Sequence, residues 1–187
     1  MDTPAAEHVS ATSLREIVMG AQDNLTNVLA VVLGVAVGSG RIATVALAGL
    51  AAGIAEAISM AGVLYTSTRA EYDLAMLDLR GADPLEARAR RDELSRTKRP
   101  LKAAVVTFAA AVVAAAIPLL PFALLPLRAA MAVSVVLSVS ALFALGGWKG
   151  SRTGRAWWRD GAQFVAIGGL AAVGASLVGA LLKTNGV

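Results

Sequence analysis

Four side chains carry the chemistry this sequence offers a cation inside a membrane: Glu16, Asp23, Glu56 and Met60. Carboxylates supply hard oxygen ligands and a thioether a softer sulfur, a mixture that suits Fe²⁺, Mn²⁺ or a similar first-row ion. A metal and a proton would compete for the same carboxylate oxygens, which is the physical basis of proton-coupled metal antiport. Asp23 sits in a polar run with Gln22, Asn24, Thr26 and Asn27, immediately before the apolar stretch VLAVVLGVAVG from Val28 to Gly38. On a helical wheel Glu16, Gly20, Asp23, Asn27, Gly34 and Gly38 share one side, and Gly49, Gly53, Glu56 and Met60 share a side of the next helix. An acid at mid-span costs about 2.5–3.5 kcal/mol on insertion, so this cluster requires an interior site turned away from lipid. Counting inward from the expected helix ends puts Asp23 level with Met60, and Glu56 one turn, about 5.4 Å, deeper. The plainer reading makes Asp23 and Asn27 a hydrogen-bonding device between helices, treats Glu56 the same way, and leaves Met60 and Met19 to packing.

The elements that must position these groups follow from composition. Of 187 residues, 57% are hydrophobic and 16% charged, too apolar for a soluble domain. Crossing the hydrocarbon takes about 20 mostly apolar residues, and five such runs occur: Ile17–Ser39, Ile42–Thr66, Leu101–Leu125, Leu127–Trp148 and Gly161–Leu182. The expected fold is therefore an all-α membrane protein with five transmembrane helices per subunit. Its parts are a polar leader over 1–14, helices one and two over 15–66, a cytoplasmic helical segment over 67–100, and helices three to five over 101–187. Gly40-Arg41 makes a tight hairpin, and Pro118, Pro121 and Pro126 weaken and then end the third helix. GVAVG at Gly34–Gly38 and GLAAG at Gly49–Gly53 both match the small-xxx-small pattern on the acid-bearing faces.

Lys and Arg set the orientation: fourteen fall before the first span, between spans two and three or between spans four and five, against Arg41, Arg128 and Lys183 on the other side. The N-terminus is thus expected in the cytoplasm and the C-terminus outside, in a multi-pass protein of a prokaryotic plasma membrane. The leader, with His8, lacks the basic and apolar regions of a cleaved signal peptide. Within the Arg-rich segment, Thr68–Leu79 prolongs the second helix, GADP stops it, and Asp83 caps a new helix with Pro84 in first position, ending near Lys98. The segment holds a single aromatic residue, Tyr72, too few for base stacking, so its charge is assigned to topology and lipid, with no nucleic-acid partner. No cysteine exists for a thiolate site or nucleophile. Ser134, Ser138 and Ser140 read as packing hydroxyls and Trp148, Trp157 and Trp158 as an interface belt, so an enzyme is not expected.

The stretches REIVMGAQDNLTNVLAVVLGVAVG, LAGLAAGIAEAISMAGVLYTSTRAEYD and ALFALGGWKGSRTGRAWWRDGAQFVAIGGLAAVGASLVGALL resemble, in the same order, those of the vacuolar iron transporter family, including its bacterial and nodulin-like members. The resemblance implies a homodimer of five-helix subunits with a metal path between them, exporting Fe²⁺ or Mn²⁺ from the cytoplasm in exchange for protons. No cofactor is held permanently; the divalent ion and the protons are cargo. It also implies that Asp23 is the membrane-embedded aspartate, Met60 the methionine ligand and Glu16 an acid near the cytoplasmic mouth. The family's second-span glutamate corresponds to Ala52 here, and Glu56, one turn on, is inferred from its spacing to restore that carboxylate. The cytoplasmic segment is shorter than in members with a full metal-binding domain, and its acids are diluted by arginines, so it is not read as a metal buffer. The alternative is a non-transporting scaffold or regulatory subunit that uses the small-residue faces for oligomerisation.

Overall fold

The computed structural model describes residues 4–81 and 83–183, with side chains from Leu14 onward; these residues are helical with no strand. His8, read as a solvated leader residue, lies outside the described side chains. Six helices follow one another: α1 (Pro4–Ser39), α2 (Ile42–Asp78), α3 (Pro84–Thr97), α4 (Pro100–Leu124), α5 (Leu127–Arg152) and α6 (Trp157–Leu181). All but the short α3 contain a stretch long and apolar enough to cross a membrane, as the five apolar runs predict.

Local chemistry sets the breaks. Gly40, at φ +64°, takes the left-handed conformation that reverses the chain between α1 and α2. The Asp83 carboxylate accepts from the Leu85 N–H at 2.8 Å and Pro84 opens α3, the cap that DPLE predicts. Pro118 and Pro121 lie buried inside α4 without ending it, and Pro126 marks the break before α5, as a third run reaching Leu125 predicts. Prolines persist within a membrane helix when neighbours meet the polar groups around them. Here the Ser134 hydroxyl of α5 donates to the Pro118 carbonyl at 2.8 Å.

α1 is the central helix. It packs on α2, α4, α5 and α6, while α2 lies on α1 and α4, and α6 on α1 and α5. Val28, Leu29, Val32, Leu33 and Ala36 of α1 join Val45, Ala115, Phe122 and Ala130 in one core, and Val18 and Leu25 join Ala114, Leu142 and Phe164 in a second. Leu47, Leu50, Ile54 and Ile58 of α2 and Leu170 and Leu177 of α6 are exposed, the apolar outer surface of a lipid-embedded bundle.

The small-residue motifs act inside this chain. A Cβ on Gly34 would lie 2.8 Å from the Ala175 carbonyl oxygen, so the glycine lets α1 and α6 come together backbone to backbone. Gly53 faces Ala115 and Val28, and Gly49 faces Val32 and Leu119. The expectation that both motifs lie beside the acids is corrected. Helices that cross meet different neighbours at different heights, so residues aligned on a wheel need not share a partner.

Candidate metal site

Asp23 and Glu56 come together at the α1–α2 seam. The Glu56 carboxyl is directed at Asp23 and at the Asn27 side chain, one turn further along α1. All three are half-buried, on the edge of the bundle rather than in its core. No ion pair among the described residues involves either carboxylate. Met60 is half-buried one turn from Glu56 on the same side of α2, toward the α3 end.

The depth count is corrected by a turn. Asn24 donates to the Gly53 carbonyl, Val28 lies against Gly53 and Val32 against Gly49. This register sets Glu56 level with Asp23, and Met60 nearer the level of Met19 and Gly20. The count failed because it assumed that the apolar runs mark a common level at both helix ends. Both helices continue past them, α1 starting at Pro4 and α2 reaching Asp78.

Glu16 stands apart from this pair, seven residues and about 10 Å along α1. Its carboxylate is only 4% exposed, with Oε2 unpartnered, and it lines a cavity beneath α3 together with Arg15 and Lys102. Of the four residues singled out by type, the structure joins Asp23 to Glu56, sets Met60 a turn away, and places Glu16 in another environment.

Two polar residues that sequence reasoning passed over carry structural work. Asn24 is fully buried, and its Nδ2 donates to the Gly53 carbonyl at 3.0 Å and the Ala111 carbonyl at 2.9 Å, tying α1 to α2 and α4. Asn24 thus joins three helices, while Asp23 and Asn27, which the plainer reading makes a link between helices, meet Glu56 across the α1–α2 seam. The spacing of Asn24 was the available signal, since Asn24, Val28 and Val32 follow steps of four along the buried stripe. Asp160, in the first turn of α6, is 2% exposed, with Lys149 Nζ at 3.1 Å and Arg155 Nε at 3.9 Å. The Lys149 ammonium also lies 5.3 Å from the Phe164 ring centroid, a cation–π contact. Asp160 falls one residue before the expected fifth span and so reads as a loop acid; the glycines at 146 and 150 that make room for it were the clue.

A bundle of five membrane-length helices with facing acids at one seam defines an integral, multi-pass membrane protein. The sequence matches the model of the VIT family over residues 14–86 and 82–180, and the chain belongs to that family of membrane transporters. It is 29% identical over 143 residues to vacuolar iron transporter homolog 2 of Arabidopsis thaliana, which covers 76% of this chain and 70% of that protein. Transport of metal ions across a membrane is the general activity that membership carries.

Proposed function

We propose that two copies of this chain form a homodimer that exports Fe²⁺ or Mn²⁺ from the cytoplasm in exchange for protons, the ion held by Asp23, Glu56 and Met60 of both copies. One observation carries the reading: Glu56 turns its carboxyl toward Asp23 in a half-buried seam, and no cation among the described residues balances the pair. Facing carboxylates repel one another unless a proton or a metal ion lies between them, so the seam favours taking up one or the other. Among the described residues no three His, Cys, Asp or Glu side chains converge in a single chain. An isologous dimer would double the two carboxylates to four and add two thioethers. The Ala52 departure fits this reading, because Glu56 supplies the carboxylate from one turn away. The name of the Arabidopsis relative supports iron as cargo. Glu16 enters as a residue of the cytoplasmic mouth whose negative charge is balanced by Arg15 and Lys102. The orientation, N-terminus inside, rests on the distribution of Lys and Arg.

The scaffold alternative draws less support, since the small-residue faces it would use pack on helices of the same chain. In liposomes, Asp23→Asn and Met60→Ala are expected to abolish metal-driven proton movement while the protein still inserts and elutes as the wild type does. Normal transport by both variants removes the proposed site.

A further inference from the structure

A cavity of about 360 Å³ opens between the α3 end of α2, α3 itself and the starts of α1 and α4. Six cationic side chains line it: Arg15, Arg90, Arg96, Lys98, Arg99 and Lys102. Three acids share the lining: Glu71 accepts from Lys98, and Glu16 is buried beside Lys102 and Arg15. Glu93 is the third. No ion pair among the described residues includes Arg90, Arg96 or Arg99. The cavity therefore holds an excess of positive charge with donors to spare, a setting for phosphate oxygens.

What adjoins the cavity narrows the ligand. Arg99 and Lys102 also border an apolar groove that runs over Leu101, Val105 and Val106. Val106 in turn belongs to a further groove, between α1, α4 and α5, lined by Ala21, Leu25, Ala110 and Ile117 with Val113 on its exposed rim. From Lys102 to Val113 the helix rises about 16 Å, close to half of a hydrocarbon core roughly 30 Å thick. The basic cavity and the two apolar grooves thus follow one another along α4 through shared lining residues, over about one leaflet's depth. Free phosphate has no use for the grooves, and a neutral lipid has none for the excess cations.

We propose that this continuous site binds an anionic phospholipid, its phosphate seated among Arg90, Arg96, Arg99 and Lys102 and an acyl chain lying along the α1–α4–α5 groove. Bound there, the lipid would bridge α3 to the starts of α1 and α4 and so brace the end of the bundle where α1 and α2 emerge.

The test uses the full-length protein, reconstituted in vesicles of equal parts phosphatidylglycerol and phosphatidylcholine and then extracted in mild detergent, with retained lipid counted by mass spectrometry. Wild type is expected to keep phosphatidylglycerol in preference. Arg96→Gln and Arg99→Gln should each cut the preference about fivefold, as the loss of one basic contact to an anionic lipid does, while Arg88→Gln and Arg91→Gln on α3 outside the cavity should leave it intact. Ala110→Phe, which fills the groove, should lower retention; Val113→Trp, on the exposed rim, serves if the first variant does not fold. Equal retention of both lipids, or equal losses from the cavity and control arginines, would overturn the proposal. So would displacement of phosphatidylglycerol by millimolar inorganic phosphate with no effect of the groove variants, which would make the cavity a site for free phosphate.

Discussion

Asp160 and Asp23 are both aspartates in helices of the bundle, and their surroundings are opposite. Asp160 is sealed, with the Lys149 ammonium at 3.1 Å and the Arg155 guanidinium nearby. Asp23 is half-buried and meets another carboxyl, that of Glu56. An acid given its own cation at the end of a loop holds the loop in place, and its charge is settled within the fold. An acid set against a second acid leaves its charge to be settled by something that arrives and departs. On the proposed reading the same residue type serves architecture in one place and a transient ligand in the other, and the neighbour decides which.

The comparison can be broken most forcefully at the sealed end. Asp160→Asn should destabilise the protein by about 3 kcal/mol, because it strands the partly buried Lys149 without a counter-charge. Thermal unfolding in detergent measures this, and the double variant Asp160→Asn with Lys149→Met should recover most of the loss. Asn24→Ala comes next, at about 1–2 kcal/mol, since in lipid the freed Gly53 and Ala111 carbonyls keep their helical partners. At the open end the sign reverses. Asp23→Asn should raise metal-free stability at neutral pH by about 1 kcal/mol, the scale on which like charges in contact with water repel. A fall in stability comparable to that of Asp160→Asn would erase the distinction between the two acids.

The smallest effect belongs to the exposed pair of Glu71 and Lys98. The ammonium that hydrogen-bonds Glu71 holds its carboxyl below the ordinary value of 4.5. A depressed carboxyl contributes stability above its unfolded-state pKa, and that contribution disappears as the pH falls through the folded one. Both side chains are about two-fifths exposed, at 37% and 43%, so Lys98→Met should cost under about 1 kcal/mol at neutral pH. Unfolding curves of the variant and wild type should coincide well into the acid range.

Much of the fold was legible because lipid imposes one rule on every span, a long apolar run with its backbone bonds satisfied internally. The runs, the Gly40 hairpin and the Asp83 cap all announce themselves locally. Asp23 was legible for the same reason, as an acid where none should be. The level of Glu56 was not, since it depends on how far α1 and α2 run beyond the bilayer, which periodicity does not encode. Spacing separates Asn24 from its neighbour Asp23, but the carbonyls that Asn24 meets on α2 and α4 depend on tertiary packing. Pro118 and Pro121 were legible as interior to the third run, whereas the Ser134 hydroxyl that reaches the Pro118 carbonyl was not, because it comes from another helix.

The central place of α1 bears on how the protein is made. Its own apolar stretch is short, and the Asn24 amide hydrogens find their acceptors at Gly53 of α2 and Ala111 of α4. Translation delivers α1 first and those carbonyls later. Asn24 therefore enters the membrane before its partners, and the chain through Ala111 must follow before both amide hydrogens are met.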